Sequence, residues 1–274
     1  MKSSDSREHW SASSLRELCS CPLRYKLHRI DRRPASHRSP SLVLGSVYHE
    51  VVAHALRTLK EGDDVTEDAL ALWFDSLWKD ELEASGPPIR WTAKATQANQ
   101  RELGIALVKA WHAQALPLYK DAEIVAVEFP FRIPIVNPTT GEVTERPLDG
   151  VIDLLLGRPE GVTVVDHKTA AQKFSDVEID LGLQASGYVM AAREMGFDDV
   201  RFEFHTMSKS VKAPKFSVVP VPRGDEDIAR LHWVASQAEK LVNAEVYMPS
   251  TPGWQCTGCA YAGACREAHA GRAA

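Results

Sequence analysis

The sequence lacks the features that mark membrane-spanning and exported chains. Its 274 residues contain no apolar run close to the roughly 20 residues that a membrane-spanning helix needs. The opening residues MKSSDSREHW include no hydrophobic segment typical of a secretory signal. The five cysteines are an odd number, which argues against a disulfide framework. We therefore expect a cytoplasmic protein with no membrane partner.

Motifs for several common chemistries are also missing. The sequence has no glycine-rich phosphate loop, Walker motif, Ser-His-Asp set, internal repeat or low-complexity tract. The chain therefore carries no nucleotide-driven motor. Its net charge is −5, so any contact with nucleic acid must come from a local basic surface. The composition, 44% hydrophobic and 25% charged, is ordinary for a globular protein, and 274 residues could form one large domain or two small ones. We expect a single domain over residues 1–274.

A short segment, residues 148–170, carries the acids that organise the rest of the prediction. Two apolar runs, 151–156 and 162–165, flank Pro159 and Glu160, which is typical of a hairpin. A turn centred on these two residues places Asp153 opposite Asp166 on one face of the sheet. Because side chains alternate along a strand, Lys168 shares that face and His167 points to the other. Two carboxylates and an ammonium group are thus predicted to converge.

Opposed carboxylates destabilise a sheet unless something compensates them, and a divalent cation held by carboxylate oxygens is a common compensation. A metal site is therefore one interpretation of this segment. The other remains open: Asp153 could be a solvated acid at a sheet edge, and Asp166 with Lys168 could form an ordinary surface ion pair.

Hydrophobic periodicity along the chain predicts an α/β fold, with a mixed central sheet flanked by helices. Helices are expected over 11–18, 21–30, 41–60, 66–83, 93–118, 178–195 and 225–243, and further strands over 124–135, 200–207 and 215–221. Within the single domain we expect N-terminal helices with a basic segment at 11–40, a helical insertion at 62–120, the core at 122–222, and a C-terminal helix with a cysteine-rich tail at 223–274.

Three further features stand outside the hairpin. His49 lies on the flank of the apolar stripe of its helix, four residues after Gly45, which leaves room for another element to approach it. The segment from Arg24 to Arg38 carries six basic residues against one acid, which suits either a solvated loop or a phosphate-binding patch. The spacing C-x2-C-x5-C near the C-terminus is typical of metal ligands.

Taken in order, four motifs resemble those of the PD-(D/E)XK nuclease superfamily, in its RecB-like branch. They are His49 in a helix, a G-x-x-D run ending at Asp153, Asp166-x-Lys168, and Gln184-x3-Tyr188. Cys21-Pro22 and Cys256-x2-Cys259-x5-Cys265 further resemble the iron-sulfur subgroup, which includes CRISPR-associated RecB-like exonucleases and the nuclease domain of AddB. The resemblance covers residues 11–266 and implies a restriction-endonuclease-like core with a metal-binding tail.

The resemblance also implies roles for individual residues. His49, Asp153, Asp166 and the backbone carbonyl of His167 would bind Mg²⁺ or Mn²⁺, and Lys168 would position or activate water. Gln184 and Tyr188 would support the site and contact DNA. Four cysteines would hold a [4Fe-4S] cluster: Cys21, Cys256, Cys259 and Cys265.

Two points about the cysteines stay open. The spacing of Cys259 and Cys265 with His269 also suits a zinc site, and Cys19 could replace Cys21 as a ligand.

The function so implied is a metal-dependent DNA exonuclease acting on single-stranded ends. It would work in recombination, repair, phage DNA processing or CRISPR adaptation, on ends that a helicase or other partner supplies. The alternative is a catalytically inactive nucleic-acid-binding module with a zinc or iron-sulfur knuckle. For either function, the basic segment supplies the expected DNA contacts, Arg24, Arg29, Arg32 and Arg33.

Overall fold

A computed structural model describes residues 8–170 and 175–270. The first seven residues lie outside the described part, and the expected absence of a leader rests partly on them. The last four residues of the predicted C-terminal segment also lie outside it. Among the described residues, no helix is both long and apolar enough to cross a membrane.

Helices lie toward both ends of the described part of the chain and make up most of the stretch before the sheet. They are α1 (Ala12–Ser20), α2 (Pro22–Tyr25) continued by a π-helix (Lys26–Ile30), α3 (Pro40–Lys60), α4 (Glu67–Glu83), α5 (Gln97–Gln114), α6 (Leu116–Lys120), α7 (Asp176–Leu181), α8 (Leu183–Glu194), α9 (Asp225–Asn243), a short 3₁₀ turn (Trp254–Cys256) and α10 (Ala262–Ala270).

One five-stranded sheet lies at the centre, with its strands in sequence order. The strands are β1 (Glu123–Ile133), β2 (Leu148–Arg158), β3 (Gly161–Ala170), β4 (Asp199–Ser208) and β5 (Phe216–Pro220). Neighbours are antiparallel except β3 and β4, which are parallel and joined through α7 and α8. The prediction of a mixed sheet flanked by helices is confirmed.

Helices cover both faces of the sheet, so the molecule has two apolar cores. Helices α1, α8 and α9 pack on one face, where Leu155 and Val164 point. Helices α3 to α6 pack on the other face, where Leu154 and Val165 belong to the same apolar cluster as Trp78 of α4. The predicted helical insertion at 62–120 therefore contributes to the core of the sheet and does not form a separate lobe.

Helix boundaries depart from the sequence prediction at three places. The helix expected over 21–30 changes to a π-helix after Tyr25, and the one expected over 93–118 begins only after Thr96, whose side chain caps it. The helix expected over 178–195 is interrupted at Gly182, which is extended. The third change matters for the site, since α8 then starts at Leu183 with its own direction.

Candidate active site

The β2–β3 hairpin has the predicted register. Pro159 and Glu160 form its turn, and the hydrogen-bonded pairs run from Arg158 opposite Gly161 to Leu154 opposite Val165. Asp153 follows directly beyond the last pair on β2, and its Oδ2 accepts a hydrogen bond from the backbone N–H of His167 at 2.8 Å. A side chain thus replaces the strand-to-strand bond at this point, which fixes the Asp153 carboxylate between the two strands.

Gly150 begins the G-x-x-D run for a steric reason. It lies opposite Phe131 on β1, and a Cβ at this position would come within 2.5 Å of the Phe131 ring. That ring in turn packs edge-on against Tyr188, with the ring centroids 5.7 Å apart. The missing side chain therefore lets an aromatic ring cross β2 three residues before Asp153.

Asp166 is the most enclosed acid of the site, with 1% of its side chain exposed. The ammonium of Lys168 lies 2.6 Å from its Oδ2, and Gln184 donates a 2.7 Å hydrogen bond to its Oδ1. The same Gln184 amide donates to the hydroxyl of Tyr188 at 3.1 Å. The structure therefore brings together the two strand residues and the two helix residues that the motifs predicted as neighbours.

His49 approaches this group from α3, on the opposite side of the hairpin. Its Nδ1 lies 3.4 Å from Oδ2 of Asp153. Burial lowers the pKa of His49. The charge of Asp166 and a hydrogen bond with the backbone of His167 act to raise this pKa but do not cancel the effect of burial. Gly45 was expected to permit a close approach here, but a Cβ would meet Thr169 at 3.8 Å, an ordinary contact. The glycine is therefore not sterically required.

Two carboxylates in a buried place carry a clear electrostatic cost. Burial raises the pKa of Asp153 well above its usual range, and the like charge of Asp166 raises it further. The hydrogen bond from His167 and the charge of Lys168 act in the opposite direction without cancelling the effect. A cation beside these oxygens would remove the cost.

The side chain of His167 points away from the acids, as strand alternation predicted. It is buried beside the rings of Tyr119 and His205, at centroid distances of 6.1 and 6.0 Å. The Tyr119 hydroxyl is hydrogen-bonded to Nδ1 of His205 at 2.6 Å, and the Glu203 carboxylate lies 3.0 Å from Nε2 of the same histidine. The sequence gives no sign of this polar group, because its members come from a helix and two strands that are far apart along the chain.

Glu128 is a second residue whose importance the sequence understated. On β1 and β2, Val127 pairs with Leu154 and Phe129 pairs with Ile152. Glu128 therefore lies beside Asp153 on the neighbouring strand. Its backbone has φ = 53°, a left-handed conformation uncommon outside glycine. In the sequence Glu128 is only a lone acid in a predicted strand, and its backbone conformation is not visible there.

The candidate metal ligands lie close together but do not have a preformed coordination geometry. Among residues 8–170 and 175–270, no group of three or more His, Cys, Asp or Glu side chains is arranged to hold a metal ion. Within that part of the chain, the buried Oδ2 of Asp166 has no hydrogen-bond partner, although the Lys168 ammonium is close by. One imidazole, two carboxylates and a backbone carbonyl match the donors that Mg²⁺ and Mn²⁺ accept, so the residues fit such an ion.

The cysteine-rich tail packs against the N-terminal helices. Cys21, Cys259 and Cys265 border a small apolar cluster made by Leu23, Leu27 and Tyr261. The backbone N–H of Leu23 donates a hydrogen bond to the carbonyl of Met248, and that of Ser36 donates to the carbonyl of Ala260. These bonds join the N-terminal helical region to the C-terminal tail.

The electrostatics of the thiols show which cysteines are neighbours. Burial raises the pKa of Cys265, and the nearby Cys21, Cys259 and Cys256 raise it further. The charge that acts on Cys19 comes instead from Arg230. The four predicted ligands therefore lie near enough for their charges to act on the Cys265 thiol, but among the described residues no three of them are arranged to hold a metal ion. Cys19 is not among the residues that border the apolar cluster.

The basic segment divides into two parts. Arg24 and Arg29 each direct Nε to the buried carboxylate of Glu17, at 3.2 and 3.1 Å. Arg24 and Arg29 also line a groove between the N-terminal helices and the cysteine-rich tail, whereas Arg32 and Arg33 are exposed and do not line it. Glu17 went unnoticed in the sequence because an acid in an amphipathic helix normally faces solvent.

Comparisons with known proteins agree with this geometry. A family model described as the PD-(D/E)XK nuclease superfamily matches residues 9–266. No curated protein matches the sequence. A crystal structure named "Putative exonuclease", from Eubacterium rectale, is similar in fold, with a TM-score of 0.53 and 15% identity over 89% of this chain and 85% of that one. The structure of SSO0001 aligns with a TM-score of 0.40 and 14% identity, over 93% and 84% of the two chains.

Proposed function

Because the chain belongs to the PD-(D/E)XK nuclease superfamily, we propose that it is a metal-dependent deoxyribonuclease that degrades DNA from single-stranded ends. The observation that carries the proposal is the arrangement around Asp166: a buried carboxylate held by Lys168 at 2.6 Å and Gln184 at 2.7 Å, with Asp153 beside it. The preference for exonuclease action rests on the resemblance of the motifs to those of RecB-like exonucleases.

In this proposal, Mg²⁺ or Mn²⁺ is held by His49, Asp153, Asp166 and the backbone carbonyl of His167. Hard cations favour oxygen donors, and the imidazole shifts the preference toward Mn²⁺. A bound ion of this kind lowers the pKa of a coordinated water and stabilises charge on a phosphoryl oxygen.

The remaining residues act on the substrate and on the orientation of the acids. Lys168 places a positive charge beside the scissile phosphate and orients the attacking water, while its contact with Asp166 keeps the ammonium in place. Gln184 fixes the rotation of the Asp166 carboxylate through Oδ1, and Tyr188 accepts the second bond of that amide. By the resemblance of Gln184-x3-Tyr188 to the family's motif, this pair would also contact DNA.

We assign the four predicted cysteine ligands to a [4Fe-4S] cluster, with Zn²⁺ as the alternative occupant. Tetrahedral thiolate sites suit both. Cys21 is favoured over Cys19, because hydrogen bonds from the backbone at Ser250 and Arg24 outweigh the effect of burial and lower the pKa of Cys21. A thiolate is the form that binds metal.

The proposed setting is one that supplies DNA ends to this domain. The 274 residues contain no Walker motif, so the ends would come from a helicase, a recombination system or a CRISPR adaptation complex. Recombination, repair, phage DNA processing and spacer acquisition all supply such ends.

The test is the degradation of DNA labelled at the 5′ or 3′ end, single- or double-stranded, with Mn²⁺, Mg²⁺ or EDTA. We expect cleavage only with a metal ion, and a loss of about a hundredfold or more in rate for Lys168→Ala. Lys79→Ala is the matched control, since Lys79 is an exposed residue of α4. The label that is released first gives the polarity.

The opposite outcome is equally informative. A fully active Lys168→Ala variant would remove the catalytic assignment. DNA binding that survives EDTA, with no cleavage under any metal condition, would instead favour the inactive binding module.

A further inference from the structure

The loop that joins β4 to β5 carries positive charge and no acid. Residues 204–224, which include the end of β4 and all of β5, contain three lysines, one arginine and no aspartate or glutamate. The three lysines, Lys209, Lys212 and Lys215, are spaced three residues apart in the loop itself. In a chain whose net charge is −5, such a local reversal of charge is typical of a surface that binds an anion.

The loop begins beside the strand that carries the catalytic lysine. Strands β3 and β4 are parallel, and Lys168 pairs with Thr206. The pairing continues past the end of β4, where the backbone N–H of Lys209 donates a 2.8 Å hydrogen bond to the carbonyl of Ala170. Lys209 therefore lies three residues, or about 10 Å, beyond the level of Lys168 along the sheet. Successive phosphates of one strand are about 3.4 Å apart along the axis of B-form DNA, so this distance corresponds to a few nucleotides.

The side chain of Lys209 is held against helix α3. Its ammonium donates a hydrogen bond to the hydroxyl of Ser41. Ser41, Gly45 and His49 are spaced four residues apart, which places them on one face of the helix. At Gly45 this face lies close to the end of β3, where a Cβ would be 3.8 Å from Oγ1 of Thr169. Ser41 is about 12 Å from His49 along the helix axis. One helix face thus carries both the partner of Lys209 and the predicted metal ligand.

The charge of Lys209 has no counter-charge among the side chains that the structure describes. The residue is half-buried, and its ammonium is bonded to a serine and to no described carboxylate. Burial lowers the pKa of Lys209, and no charged neighbour acts against this effect. An ammonium has three N–H donors, of which the Ser41 hydroxyl takes one. Two donors and the full charge therefore remain for an anion, which would offset the cost of partial burial.

On this basis we propose that Lys209 binds a backbone phosphate of the DNA strand, a few nucleotides from the scissile phosphate, with Ser41 as a positioning residue for its ammonium. The inference deepens the proposed nuclease function and rests on it. An ammonium is a compact point charge, which suits a single phosphate oxygen and reads no base. The contact therefore supplies affinity and fixes the register of the strand at the catalytic group, without sequence preference.

The test measures binding of a fluorescent oligothymidylate to the full-length protein in EDTA, by anisotropy, over a series of salt concentrations. Lys209→Gln removes the charge but keeps a donor for Ser41. It should weaken binding several-fold and reduce the slope of log K against log salt by about 0.7, the value for one phosphate contact on a single strand. Lys79→Gln is the matched control: Lys79 is an exposed lysine of α4, and its variant should change neither quantity.

Two further variants separate the charge from a structural effect. Lys209→Arg keeps the positive charge and should retain the salt slope of the wild type. A loss of slope as large as that of Lys209→Gln would instead show that the lysine only supports the fold, and would overturn the proposal. Ser41→Ala should weaken binding without changing the slope, because the number of charges is the same. Circular dichroism verifies folding, and Lys209→Met gives the same measurement if the glutamine variant does not fold.

Each outcome is distinct from a failure of the nuclease proposal. Equal affinity and equal slope for Lys209→Gln and Lys79→Gln overturn the phosphate site, even if the wild type cleaves DNA. Unchanged affinity in Ser41→Ala overturns the positioning role of the serine. If the wild type binds DNA without cleaving it under any metal condition, while the slope still falls in Lys209→Gln, the nuclease is rejected and the phosphate site remains.

Discussion

Glu128 occupies a backbone conformation that costs free energy for any residue with a Cβ. Left-handed backbone is disfavoured by roughly 1–2 kcal/mol for L-residues other than glycine. Here the conformation occurs in a strand, directly beside Asp153. Strain of this kind persists only where the surrounding structure imposes it, and it is common at functional sites.

The strain leads to a stability prediction. Glu128→Gly and Glu128→Ala remove the same carboxylate, but only glycine relaxes at φ = 53°. We expect the glycine variant to be more stable than the alanine variant by about 1 kcal/mol, after allowing for the extra freedom of glycine in the unfolded chain. Urea unfolding of the two variants measures this difference directly. Equal stability of the two would show that the position carries no strain.

Among the elements, the β2–β3 hairpin depends on a ring that crosses it. A methyl group on Gly150 would overlap the ring of Phe131, which must then move from Tyr188 or push β2 aside. Overpacking of this kind typically costs about 1–3 kcal/mol. We expect Gly150→Ala to lose that much stability and most of its nuclease activity, since Asp153 lies on the displaced strand.

Two variants control for this effect. Gly86→Ala adds the same methyl group where no atom lies within 4 Å, and should leave both stability and activity unchanged. Combining Gly150→Ala with Phe131→Ala removes the ring that causes the clash. If the overlap is responsible, the double variant will be less damaged than the sum of the single changes, in denaturation and in cleavage assays. Additive losses would contradict it.

The hairpin was predictable from sequence for a specific physical reason. Its turn residues fix which positions face each other, and strand alternation fixes which side chains share a face. That is enough to place Asp166 and Lys168 together and His167 on the other side. The same reasoning fails for α2 and α8, because hydrophobic spacing does not distinguish a π-helix after Tyr25 from an α-helix and does not signal the extended backbone at Gly182.

Long-range contacts were harder to predict for the same reason. Glu17 lies in α1, and the arginines that it binds lie in α2 and in the π-helix. Around Glu17 the sequence shows only the pattern of an ordinary amphipathic helix, in which an acid faces solvent. The surface to which the basic segment belongs also includes the C-terminal tail, more than 200 residues later. Spacing identifies the residue types of a site, but it does not identify which remote segments close around them.

At the scale of the whole molecule, the two ends of the chain meet at the cysteines. Helix α2, the π-helix that continues it and the tail share a small apolar cluster. A core of this size contributes little stability by itself. A metal centre bound by Cys21 and the tail cysteines would close a loop that includes the entire sheet, which makes the restraint on both ends strong.

The last prediction therefore concerns Cys265→Ser against Cys19→Ser. Removing a ligand should lower the bound iron, or zinc, and raise amide hydrogen exchange in α2 and α10, whose shared apolar cluster is small, while α1, β2 and β3 stay protected because they pack together in the core on one face of the sheet. Cys19→Ser should retain the metal and the exchange pattern of the wild type, since Cys19 is not among the residues that border the apolar cluster. Metal analysis after anaerobic purification, with exchange mass spectrometry, provides both measurements. Full metal content in Cys265→Ser, or its loss in Cys19→Ser, would overturn the assignment of ligands.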